Sequence, residues 1–152
     1  MADKPKRKWG ILLFSLPFTG VGLGFLLFSV IPSLYDAMQM SDWREAQATV
    51  ISSELKSYSG DSTTYEAVGI YNYSVDGQQY TGTRLGISGG ADNVGEWHQR
   101  MSSKLHAASN DQRTVSVYYN PKNPAAVIVD RSLRWNLLGF KMIFVLVFGG
   151  AE

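Results

Sequence analysis

The sequence predicts an α+β protein: two transmembrane helices flanking a small, mostly antiparallel β-sheet domain with one packed helix. Three observations predict it. Trp9 to Tyr35 is an uncharged run of 27 residues, where about 20 apolar residues cross a hydrocarbon core ~30 Å thick. From Ala46 the pattern changes to period two, with Asp76-Gly77 set between two β-rich runs. A second apolar run, residues 135–151, follows Arg134. The implied organisation is a basic cytoplasmic tail (1–8), a first transmembrane helix (9–31), a juxtamembrane linker (32–42), an extracytoplasmic β-rich domain (43–130), a short linker (131–134) and a second transmembrane helix (135–151).

The first run is too long for the ~7–15-residue core of a signal peptide, and Phe28 to Pro32 offers no clean small-residue cleavage pattern. Lys4, Lys6, Arg7 and Lys8 precede it, and the positive-inside rule keeps such a cluster in the cytoplasm. The β domain then faces outward from the inner (plasma) membrane of a bacterium. Trp9 suits an interfacial anchor. Pro17 is expected to kink the helix and Pro32 to end or bend it. Gly20 and Gly24 form a GxxxG step that lets another helix approach closely. Residues 33–47 read equally as an amphipathic turn or short helix on the membrane surface or as an ordinary linker.

Within the domain, residues 48–58 alternate β-formers with polar residues, and 64–75 is the strongest strand. Asp76-Gly77 predicts a type I′ turn, which needs positive φ at both central positions, with 78–87 returning. Tyr71, Tyr73 and Tyr80 are then sheet-packing residues. Residues 93–107 show helical spacing through Val94, Trp97, Met101 and Leu105, with Asp92 placed to cap the helix. Residues 113–120 alternate again. Asn120, Pro121, Asn123 and Pro124 predict a turn, and 125–130 a last strand.

The final run is apolar apart from Asn136 and Lys141. Its 17 residues cover about 25 Å, slightly short of a span. Lys141 is expensive against lipid and is better placed in a helical interface. Gly139, Lys141, Gly20 and Gly24 are therefore the candidate helix-packing residues. The partner for that packing is the second helix, another copy of the chain or a different protein.

The motifs Trp43-x-x-Ala46-x-Ala48-x-Val50, YNYSVDGQQYTG (71–82) and VSVYYNPKNPAAVI (115–128) resemble the small membrane proteins grouped as a domain of unknown function, DUF3592. The YNPxNP stretch, Tyr119 to Pro124, carries most of that likeness. The resemblance implies a membrane-anchored β domain with no assigned reaction.

Composition excludes several chemistries. The chain has no cysteine, hence no disulfide framework, thiolate metal site or cysteine nucleophile. Its formal net charge is +1, and acids balance bases from Trp43 to Arg134, so no basic face addresses nucleic acid. His98 and His106, the only histidines, sit about two turns apart on one helix, too far to share a metal, and each is expected at a surface or edge. Asp92, Glu96, Ser102 and Ser103 join no GxSxG or SxxK motif, and Ser88-Gly89-Gly90 starts no phosphate loop. The expectation is a non-enzymatic integral membrane protein without cofactor or metal, in contact with lipid. Its β domain binds another protein, as an accessory subunit or toxin-neutralising (immunity) protein, with another membrane protein or its own copy as partner. The alternative is an envelope ligand or stress sensor signalling through its helices.

Overall fold

The structure, a computed structural model, describes residues 8–149, with side chains from Leu16 onward. The expected basic tail, apart from the backbone of Lys8, lies outside the described residues, as do the side chain of Trp9 and residues 150–151. The chain divides into two compact units, residues 1–34 with 135–152, and residues 35–134.

In the first unit, α1 (Lys8–Phe25) leads through a π turn (Leu26–Val30) into α2 (Ile31–Gln39), whose residues from Tyr35 on belong to the second unit. Of the two readings of the stretch after Pro32, short helix or ordinary linker, the chain takes the helical one, through α2 and a 3₁₀ turn at Met40–Asp42. The π turn accounts for this. Pro32 has no N–H to donate, and the widened turn lets the Ile31 N–H reach Leu26 C=O, shifting the ladder just before the proline. Pro17 lies inside α1. The stretch Leu16–Asp42, 27 residues, is the one helical segment among the described residues long and apolar enough to cross a membrane. Phe28 is 84% exposed, and Val21, Leu23 and Leu27 also face outward, unlike the core helix of a water-soluble domain.

The second apolar helix, α4 (Trp135–Gly149), has 15 residues. It covers about 22 Å, well short of a ~30 Å core. Among the described residues one helix thus meets the length of a span, and α4, expected to be slightly short, falls below it. Within this unit α4 packs on α1 through stacked rings, Phe18 on Phe148 and Phe25 on Phe144, with centroids 5.9 and 5.6 Å apart.

The second unit carries a five-stranded antiparallel sheet: β1 (Arg44–Tyr58), β2 (Thr64–Val75), β3 (Gln78–Gly82), β4 (Thr114–Asn120) and β5 (Asn123–Ile128), in the order β3-β2-β1-β4-β5. Helix α3 (Trp97–Asn110) packs on β1, β2 and β4. Its buried stripe is His98, Met101, Leu105 and Ala108, at steps of three and four. It starts four residues later than the spacing predicts, because Gly95 sits at φ +72°, outside helical geometry. Asp92 does not cap it; Glu96 holds the cap position without a side-chain bond.

Strand β1 explains how a 15-residue strand serves one core. Val50 pairs with Tyr71 and Ser52 with Ile70, so Ile51 is an extra, bulged residue. Ala46, Ala48 and Val50 face inward before the bulge. After it the phase flips, and Ser53, Leu55 and Ser57 share the inner face with Gly69, Ala67 and Tyr65. The opposite face is polar, with Gln47, Ser116, Glu45 and Thr114 joined by side-chain hydrogen bonds.

The Asp76-Gly77 turn has both residues at positive φ, +50° and +81°, between the paired Val75 and Gln78. Tyr73 then faces Tyr80 with rings 5.5 Å apart. Strand β3 stops at Gly82 rather than running to Ile87. The chain leaves β2 there, and the Arg84 and Leu85 carbonyls accept hydrogen bonds from Val129 and Asp130. This draws the β3 and β5 edges together and curls the sheet around Tyr71, Tyr73 and Val117, which are almost fully buried. At the β4–β5 turn, Asn120 pairs with Asn123, and Asn120 Oδ1 accepts the Lys122 N–H at 2.9 Å. The turn proper is Pro121-Lys122, and Pro124 lies inside edge strand β5, where a missing N–H is tolerated.

Candidate functional site

Where β3 ends, the edge of β2 is left without a strand. Tyr71, Tyr73 and Val75 pair with β3. Farther back, Tyr65 makes a two-bond bridge to Asp92. Between these points lies a cleft of about 790 Å³ lined by β2 residues 66–70, β1 residues 52–54, the 83–90 loop, Trp97 and His98. Its size is that of a small-ligand or peptide pocket. The loop is held on both sides. Arg84 Nη2 bonds Asp36 Oδ2 at 2.6 Å, and the Tyr71 hydroxyl donates to Arg84 C=O at 2.7 Å. Burial raises the Tyr71 pKa, reinforced by Tyr73, so this phenol remains a donor. Gly86 lies against the Trp97 ring, where a Cβ would come within 2.7 Å. Trp97 Nε1 in turn donates to Asp130 Oδ2 at 2.8 Å.

His98, at the cleft wall, belongs to a largely buried ionic cluster behind it. His98, expected at a surface or edge, is only 3% exposed; His106 is exposed. The correction follows from what His98 does for the backbone. Its Nδ1 accepts the Ala67 N–H at 3.1 Å, a donor on the unpaired edge of β2. An N–H can only donate, so Nδ1 carries no proton and Nε2 does, donating to Asp92 Oδ2 at 3.0 Å. Arg134 grips the same carboxylate with both ends of its fork, at 2.7 and 2.8 Å, and also donates to Val94 C=O at 3.1 Å. Its guanidinium lies 5.0 Å from the centroid of the Trp97 ring. Desolvation, the largest influence on Asp92, pushes its pKa up. The hydrogen bonds from Arg134, His98 and the Val94 N–H together outweigh that and hold the carboxyl at about 2.

Each member of this cluster is committed to another. The imidazole has its lone pair on Ala67 and its proton on Asp92, so neither nitrogen is available as a base or metal ligand without breaking the fold. Among the described residues no group of three His, Asp or Glu is arranged to hold a metal ion. Sequence reasoning missed the cluster. Asp92 and Arg134 are 42 residues apart in the chain, and no motif joins them.

The structure scatters the residues that the sequence singled out. Asp76 and Gly77 form one hairpin turn, and Asn120, Pro121, Asn123 and Pro124 another, and none of them lines the cleft. A Cβ on Gly20, Gly24 or Gly139 would meet nothing within 4 Å. The close approach between α1 and α4 falls instead on Gly22, where a Cβ would lie 2.5 Å from the Gly149 nitrogen. Lys141 is half-buried on α4.

The fold and site define a class: an α+β domain with a largely buried Asp–His–Arg cluster, in a chain that also holds one helix long enough to cross a membrane. Residues 46–134 match the family described as domain of unknown function (DUF3592), and the chain belongs to that family. No curated protein matches the chain.

Proposed function

We propose that this is a non-enzymatic integral membrane protein whose β domain binds another protein, as an accessory subunit or a toxin-neutralising (immunity) protein. One observation carries the reading: the ionisable cluster beside the cleft is spent on structure, while the cleft itself remains open. A catalytic site needs a nucleophile or base with a free lone pair aimed at substrate. Here the one histidine of the cleft has its lone pair bonded to the backbone, which takes it out of that role. A binding site needs only shape and complementary polar groups, and the cleft offers both.

In this reading α1 and α2 anchor the chain in the inner membrane of a bacterium, with the N-terminus cytoplasmic and the β domain outside. Helix α4 serves as a second, tilted membrane segment. Purification of the full chain in mild detergent tests the function. A stoichiometric protein partner is the expected result. A co-purifying small molecule in place of a protein favours an envelope sensor, and turnover abolished by one substitution in the cleft favours a hydrolase; either overturns the reading.

A further inference from the structure

The cleft has a feature that specifies how a partner is held. Along β2 the odd-numbered residues turn their backbone groups away from β1. Tyr65 spends both on Asp92, and Tyr71 pairs with Gly82. The Ala67 N–H goes to His98. Ala67 C=O and Gly69 N–H and C=O are the remaining groups of that row, and no hydrogen bond within the described residues uses them. Backbone groups away from water are almost always paired, and a row of unpaired ones on a sheet edge is a template for another strand.

From this we infer that an extended segment of the partner protein adds to the β2 edge at Ala67–Gly69, taking these three groups as its main-chain hydrogen bonds. The inference rests on the protein-binding reading and names the mode of recognition. Three observations favour an extended peptide. The groups fall at the two-residue spacing of a strand. The gap is bounded at both ends by chain already paired to β2, the Asp92 bridge and Gly82, so it admits a short segment and excludes a long one. The cleft continues from the edge over both sides of the sheet, with Ser52 and Ile70 on the outer side and Leu85 and Trp97 on the inner. Alternate side chains of an inserted strand would reach those two surfaces. The inner one takes an apolar side chain, and the residue opposite Gly69 must keep its N–H, which excludes proline there.

The test uses the full chain in detergent micelles and a phage-displayed library of random twelve-residue peptides. Enriched peptides are resynthesised, and binding is read by fluorescence anisotropy and by amide hydrogen exchange. The expected result is peptide binding with slowed exchange at the Gly69 amide, and about a tenfold loss of affinity when the peptide N–H opposite Gly69 is methylated. Gly89→Trp should weaken binding by at least as much. Gly89 lines the cleft and has open space at its Cβ, so a large side chain there adds bulk at the cleft wall without disturbing the core. Binding with Gly69 exchange unchanged, or unaffected by Gly89→Trp, overturns edge addition while leaving the protein-binding reading standing. Failure of any peptide to enrich over a detergent-only control overturns the edge site. Loss of the stoichiometric partner in mild detergent is the separate result that removes the broader reading.

Discussion

Asp92 shows how much one side chain can hold. It bridges its backbone to Tyr65, accepts the Val94 N–H, and receives His98 and the two-pronged Arg134. Its folded pKa of about 2 lies below the ordinary 3.8. A depressed carboxylate contributes stability that is complete above the unfolded value and lost as pH falls through the folded one. The domain should therefore lose roughly 1–2 kcal/mol between about pH 4 and pH 2, after allowance for solvent screening. Urea unfolding across that range checks it. Asp92→Asn should be less stable at neutral pH and should flatten this part of the profile; a variant with the wild-type acid limb would show that another carboxylate is responsible. None of this is legible from the residues around Asp92. An aspartate before an amphipathic segment reads as a helix cap, and its actual partners come from α3 and from the end of the domain. A histidine in a polar neighbourhood likewise reads as surface until the unpaired edge of β2 supplies its donor.

Elements were legible where the constraint is local. A type I′ turn demands positive φ at two adjacent positions, and Asp-Gly announces that without reference to the rest of the chain. Met101 and Leu105 of the α3 stripe were legible for the same reason, but Val94 falls before the helix and His98 and Ala108 hold the other buried positions. The Ile51 bulge was not, because a change of phase inside β1 is visible only against the register of β2. Helix contact in the first unit is another such case. A GxxxG step draws attention to Gly20 and Gly24, yet the face of α1 that meets α4 is set by Phe18, Gly22 and Phe25. Gly22→Ile should push the two helices apart, a loss of about 1–3 kcal/mol in their packing. Gly20→Ile and Gly24→Ile have room within the chain. Oxidative crosslinking of a Phe25→Cys, Phe144→Cys pair in this otherwise cysteine-free protein reads the difference. The yield should fall with Gly22→Ile and hold with the other two. The reverse order would return the contact face to the GxxxG step.

For the whole molecule, the α+β class and the strand sequence followed from periodicity and turn residues, while the curl of the sheet did not. Closure depends on β3 ending at Gly82 and on Arg84 and Leu85 meeting Val129 and Asp130, backbone contacts with no side-chain signature. Nor did composition decide the second span: apolar content favours it and length opposes it, and 15 helical residues settle only the length. Orientation is testable directly. Ser59→Cys lies in the exposed loop between β1 and β2. A membrane-impermeant maleimide should label it in intact spheroplasts if the β domain faces out. Labelling only after lysis would place the domain in the cytoplasm.

Arg131 gives the domain one more property. Its Nη1 lies 2.9, 3.0 and 3.1 Å from the carbonyls of Met40, Ser41 and Trp43, and its guanidinium stacks 4.1 Å over Tyr118. The residues by which the chain enters the domain are thus tied to the residue by which it leaves. A domain fastened at its own neck is a closed parcel, topologically a single long insertion. Tension drawn along the polypeptide would load this clasp before it reached any strand, and the sheet would be spared until the clasp opened.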